Sequence, residues 1–164
     1  MGGRGSSGVP LIDRLSKVAE KAFEKAEPEK RNVFISFDHR DASTVNLLRG
    51  QAKAKNNELE FTDFSLKAPF NSERAEYIKS GLREKIRQAS VVLIFISSHT
   101  HESHWVEWEA REGLALGKGV ICVHQGDTPP AKMPAFVKAL GLKVIPWKHE
   151  LVTAEINNAA KNRE

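Results

Sequence analysis

Apolar positions in this chain repeat with two different periods. From residue 10 to 26, Leu11, Leu15, Val18 and Ala22 form one stripe, with Ile12, Ala19, Phe23 and Ala26 beside it. That spacing predicts an amphipathic helix, which Pro28 ends. Beyond it, short apolar runs alternate with stretches of helical period. The strand candidates are Asn32–Phe37, Leu59–Thr62, Ser90–Ser97, Gly119–His124 and Lys143–Trp147. The helix candidates between and after them are Ala42–Lys55, Ser72–Gln88, Ser103–Gly117, Pro134–Leu140 and His149–Ala160. Strand followed by helix, five times over, predicts an α/β domain with a mostly parallel sheet and helices on both faces. The run VVLIFI is apolar at successive positions, as expected of a central strand covered on both sides.

The expected fold class is flavodoxin-like, with strand order 2-1-3-4-5 and an additional N-terminal helix. In that order the chain reverses direction between strands one and three. The ligand crevice is then expected at their carboxyl ends, with Phe37, Asp38, His39, Arg40 and Asp41 on one wall and Ser97, Ser98, His99 and Thr100 on the other. The expected organisation is a disordered segment 1–9, a helical extension 10–28 and an α/β domain 31–164.

The helix after the third strand carries the candidate chemistry. Within HESHWVEWEAREG lie two of the three tryptophans and four glutamates. At ~100° per residue, Val106, Ala110, Gly113, Leu114 and Gly117 share a small face that can approach the sheet. Glu107 and Arg111 point away at i,i+4 spacing, as a surface ion pair. Trp108 and Glu112 fall off the core face. Glu109 lies at its border, one turn after Trp105, and is the carboxylate forced into partial burial. Such a group is costly unless it is paired or its pKa shifts, so it is either a structural ion pair or an acid serving the crevice.

Composition narrows the classes. The chain has 164 residues, 40% hydrophobic and 28% charged, with a net charge of +4, enough for one domain with a proper core. Its apolar runs are far short of the ~20 residues of a membrane helix, and the polar N-terminus lacks the apolar stretch of a secretory signal. One cysteine, Cys122, rules out an internal disulfide framework and suits a cytoplasmic location. It sits within a strand, where a buried, inert thiol is expected. The basic residues are scattered rather than striped, so a nucleic-acid partner is not expected.

Familiar motifs are missing. The chain contains neither GxGxxG nor GxxxxGK[ST]. A phosphoacceptor receiver would need an aspartate at the end of strand three, where Ser97 and Ser98 stand. A flavin phosphate loop would need glycines after strand one, and DHRDAST has none. His99, His101 and His104 do not share a helical face, and no metal ligand set is expected.

NVFISFDHRD at the first strand and LIFISSHTHESHWVEWE from the third strand into its helix resemble TIR domains. The look is nearest to bacterial TIR-like proteins of the Thoeris antiphage type, over about residues 32 to 147. The resemblance implies an enzyme that cleaves the nicotinamide–ribose bond of NAD, with NAD as substrate, no permanently bound cofactor and no metal. It implies a cyclic or modified ADP-ribose messenger, a downstream effector reached through that diffusible nucleotide, and self-association. Trp105 to Glu109 fits the family's WVxxE segment, which makes Glu109 the catalytic residue. Carried over likewise, Trp105 shapes the pocket, Phe37 stacks on a substrate ring and Asp38 flanks it. Arg40 takes the diphosphate, and Ser97 and His99 line the opposite wall. DFSLKAPFNSERA (63–75) corresponds to the loop that lines or gates the site, with Asp63, Ser65 and Lys67 as its contacts. Two alternatives stand beside this reading. One is a non-catalytic interaction module docking through Trp105 and Trp108. The other is a nucleoside glycosyl-transfer enzyme with a glutamate nucleophile.

Overall fold

The computed structural model describes residues 30–56, 58–64 and 67–161. The expected segments 1–9 and 10–28 lie outside the described residues, as does Ser65.

Five parallel strands form one sheet: β1 (Arg31–Ser36), β2 (Leu59–Thr62), β3 (Val91–Ile96), β4 (Gly119–His124) and β5 (Lys143–Pro146). Their order is β2-β1-β3-β4-β5, as the alternating pattern predicts. Five α-helices are described: α1 (Ala42–Lys55), α2 (Ala75–Gln88), α3 (His104–Ala115), α4 (Ala135–Ala139) and α5 (His149–Lys161). No helix among the described residues is long and apolar enough to cross a membrane.

Strand β3 is buried at every position, and alternate side chains feed two cores. Val92, Ile94 and Ile96 pack with Leu82 and Ile86 of α2, Val106 and Ala110 of α3, and Phe136 of α4. Val91, Leu93 and Phe95 pack with Val45 and Leu48 of α1 and with Val152 and Ile156 of α5. The period of two along the strand thus places helices on both faces.

Most element ends fall within a residue of those expected, and the larger differences have local causes. Helix α2 starts at Ala75 rather than Ser72, because backbone N–H groups of Ser72 and Ala75 close turns onto Pro69 and Ser72 first. Helix α3 starts after Ser103, whose hydroxyl accepts from the Val106 N–H as an N-cap. It ends at Ala115, and Gly117 is not on its packing face as expected. Gly117 takes φ 75° and turns the chain out, with the Lys118 N–H bonding to the Gly113 carbonyl. Val106, Ala110 and Gly113 do form the buried small face. A β-carbon on Gly113 would come within 2.8 Å of Val92 Cγ2 and 3.2 Å of Val120 Cγ2, so α3 lies directly on β3 and β4.

Candidate active site

The second turn of α3 and the last residue of β1 meet in the interior. Glu109 is fully buried. The hydroxyl of Ser36, also fully buried, donates to Glu109 Oε1 at 2.6 Å. Lys67, on the segment after β2, places Nζ 3.1 Å from Oε1 and 3.0 Å from Oε2. Its hydrogen bond is aimed at Oε1, and Oε2 has the charge contact without an aimed donor among the described residues. Burial raises the carboxyl's pKa. The Lys67 charge and the hydrogen bonds from Ser36 and Lys67 oppose that rise, and the charge of Asp63 adds to it. The net shift is upward.

The segment carrying Lys67 is tied down by aromatic residues. Trp105 Nε1 donates to the Ala68 carbonyl at 2.7 Å, and Phe70 meets the Trp105 ring edge-on at 5.0 Å between centroids. Lys79 lies 4.5 Å from the Phe70 centroid. Trp105 is buried, whereas Trp108 is partly buried against the same core, with its ring 6.3 Å from Trp105 and Arg83 over its face. Glu112, expected at the surface, is largely covered and accepts from Arg83 Nε at 2.6 Å. The tryptophan docking surface considered from the sequence therefore loses its exposed rings. Glu107 and Arg111 do form the outward ion pair, at 3.0 Å.

A cleft of about 570 Å³ opens beside this cluster, a usual size for a small-molecule site. Phe37, Arg49, Asp63, Lys67 and Trp105 line it. Glu109 is not itself part of the lining, and its link to the cleft is Lys67. The cleft includes Phe37 and His39 of the expected first wall and extends to the segment after β2 and to Ser103 and Trp105 after β3, while Ser97 to Thr100 of the expected second wall are not in its lining. The turns after β1 and β3 are tied to each other by contacts of their own. Ser97 Oγ donates to Asp41, and Arg40 spans the gap to Glu102 at 3.3 Å and to the His99 carbonyl at 3.5 Å.

Of the residues expected at the site, Phe37, Asp63, Lys67 and Trp105 share the cleft, with Glu109 behind Lys67. Asp38, Arg40, Ser97 and His99 do not line it. Asp38 is buried as the cap of the turn after β1. It accepts from the Arg40 backbone N–H at 2.9 Å and from Arg40 Nε and Nη2 at 2.8 and 3.1 Å. Burial pushes its carboxyl up, but the Arg40 hydrogen bonds and charge outweigh this and hold it below its ordinary value. The backbone N–H of Ser97 donates to Thr100 Oγ1, and its Oγ accepts from the His99 N–H, so both residues shape the turn after β3.

Two site residues were not singled out from the sequence. Ser36 is a hydroxyl at an inward position of a buried strand, a pattern that calls for a buried partner. Arg49 follows Ala42 and Asn46 at helical spacing, and all three line the cleft. Away from the site, burial pushes the Cys122 thiol up to about 12, as for an inert thiol. Among the described residues no three His, Cys, Asp or Glu side chains gather as a metal set.

Sheet order and site together define a flavodoxin-like α/β domain with a buried, partnered glutamate beside a small-molecule cleft. The sequence model described as "Thoeris protein ThsB, TIR-like domain" matches residues 34–129, more than half of the chain, and the chain belongs to that family. A protein of Cytobacillus dafuensis provisionally named cyclic ADP-D-ribose synthase TIR2 is 25% identical over 123 residues. That match covers 74% of this chain but only 32% of the relative's length. Among solved structures, the TIR domains of the activated Roq1 resistosome recognising the effector XopQ are similar over 60% of each chain, at 22% identity and TM-score 0.43. The FeoB G-domain of Methanococcus jannaschii matches 82% of this chain and 99% of its own, at 12% identity and TM-score 0.47. At these scores the likeness says nothing about activity.

Proposed function

We propose that this chain cleaves the nicotinamide–ribose bond of NAD, with Glu109 as the carboxylate beside the reacting sugar. The product is a cyclic or otherwise modified ADP-ribose that serves as a messenger in bacterial antiphage defence of the Thoeris type. Membership of the TIR-like family supports the class of reaction, and the provisional name of the Cytobacillus relative supports a cyclic product. The observation that carries the reading is the Glu109 carboxylate itself. It is fully buried, fixed through Oε1 by Ser36, and linked by Lys67 to a cleft of dinucleotide-compatible size.

In this reaction the C1′–N bond breaks, and its electron pair leaves with the nicotinamide nitrogen, neutralising the pyridinium charge. The leaving group therefore needs no strong general acid. Positive charge develops on the ribose, and a buried carboxylate stabilises it more strongly than one in water. Water can then add to the sugar carbon and release a proton, giving ADP-ribose. Alternatively a nucleophilic atom of the same nucleotide adds and loses its proton, giving a cyclic isomer. For Glu109 to face the sugar, Lys67 has to give up at least one of its two carboxylate contacts when substrate enters.

Incubation with NAD, followed by chromatography and mass spectrometry, tests the proposal. Nicotinamide is expected together with a product of the mass of NAD less nicotinamide, with or without one added water. NAD left intact over a rising protein concentration series, including concentrations at which the chain self-associates, would count against it.

A further inference from the structure

Arg40 is the cation that the sequence motif suggests for the substrate diphosphate, but its guanidinium is already engaged by Asp38, Glu102 and the His99 carbonyl. Lys67 is engaged by Glu109. Arg49 is placed differently. It lines the cleft from α1, it is partly buried, and its one hydrogen bond among the described residues runs from Nη1 to Asp63 Oδ2 at 3.2 Å. A guanidinium carries five N–H donors in a planar fork suited to two oxygens of one phosphate, so most of its capacity is unspent. Asp63, its partner, lines the same cleft and contributes to the field felt by Glu109.

We propose that Arg49 is the anion-binding residue of this cleft, taking the diphosphate of a dinucleotide in exchange for its contact with Asp63. The assignment rests on the NAD reading above and names the part of the site that holds the substrate's phosphates. At the cleft, Arg49 is paired with Asp63, and Lys67 is paired with Glu109 behind it. An incoming diphosphate supplies the anion for Arg49. The fork on phosphate gains charge-assisted hydrogen bonds in place of the single one to Asp63.

Titration calorimetry of the full chain tests this with two ligands, ADP-ribose, which has the diphosphate, and nicotinamide riboside, which lacks it. Arg49→Gln is expected to weaken ADP-ribose by about tenfold or more, the loss of roughly one good charged contact, and to leave nicotinamide riboside unchanged. Asp63→Asn removes the competing carboxylate while keeping Arg49, and is expected to tighten ADP-ribose several-fold, the opposite sign from loss of a structural pair. ADP-ribose binding unaltered by Arg49→Gln would overturn the assignment while the NAD reading stands. So would equal weakening of both ligands, or weakening by Asp63→Asn, since either marks the pair as structural. Loss of ADP-ribose on Arg40→Gln, with Arg49→Gln binding as wild type, would return the role to Arg40. A wild-type chain that binds neither NAD nor ADP-ribose would overturn both proposals.

Discussion

At the residue scale the account turns on a carboxylate that the fold keeps out of water. Folding raises the Glu109 pKa, so the stability this group contributes is fully present below the ordinary carboxylate value. That contribution is lost as pH rises through the raised value. The ionised form stabilises the fold less than the protonated form does, and Glu109→Gln resembles the protonated form. Calorimetry is expected to show this variant melting above the wild type, by about 2–4 °C for each kcal/mol recovered in a chain of this size. A lower melting temperature would mean that the Lys67 contact outweighs the cost of burial.

The same shift sets the acid limb of activity. NAD cleavage is expected to fall as pH drops through a value above the ordinary carboxylate range, because Glu109 is then protonated. Ser36 lowers that value through its 2.6 Å hydrogen bond, so Ser36→Ala is expected to move the acid limb to higher pH. Ser36→Thr, which keeps a hydroxyl, is expected to return it. An acid limb unmoved in Ser36→Ala would contradict the role given to this bond.

At the element scale, helix α3 matters because it lies so near the sheet. The small face Val106, Ala110 and Gly113 allows that approach, which delivers Glu109 to the end of β1. With 2.8 Å available to a β-carbon at Gly113, Gly113→Ala must displace Val92 or the helix. It is expected to destabilise by ~1–3 kcal/mol, as overpacked cores do, which urea unfolding would measure. Because the helix would shift away from Ser36 and Lys67, nicotinamide release is expected to fall with it. Unchanged stability would show that α3 can lift without cost.

The elements also show what the sequence makes legible. The unbroken apolar run VVLIFI and the small stripe of α3 are local signals, and both recur in the folded chain as a strand buried on both faces and a close-packed helix. Partial burial of Glu109 follows from the helical wheel; its complete burial does not, because Lys67 and Ser36 cover it from segments far away in sequence. The placement of the cleft is a tertiary matter too. Residues after both β1 and β3 reach the cleft, as the reversal predicts, but Arg40 to Glu102 and Ser97 to Asp41 occupy the polar residues expected there, and neither pairing has a local signature. Gly117 looks like a packing residue by spacing and acts as the turn that ends the helix, since spacing along a helix says nothing of where the helix stops.

At the scale of the whole described domain, the sheet brings together segments that the chain keeps apart. The end of β1 supplies Ser36 and Phe37, the segment after β2 supplies Asp63 and Lys67, α1 supplies Arg49, and α3 supplies Trp105 and Glu109. The Glu109 carboxylate lies inside, and Lys67 stands between it and the cleft. That arrangement suits a site that must hold an anionic dinucleotide and still keep water from the sugar until the bond breaks. Trp105 bonded to the Ala68 carbonyl and packed on Phe70 ties the lining segment to the helix that carries Glu109.

The central claim is that Glu109 is the carboxylate that assists cleavage of the nicotinamide–ribose bond. Its most direct test is the rate of nicotinamide release from NAD by the wild type and by Glu109→Gln, side by side at matched concentration, each shown by circular dichroism to be folded. The account predicts release by the wild type and loss of at least about a hundredfold in the variant, the usual scale for removing one preorganised charge from a reacting centre. Release by Glu109→Gln at the wild-type rate would contradict it.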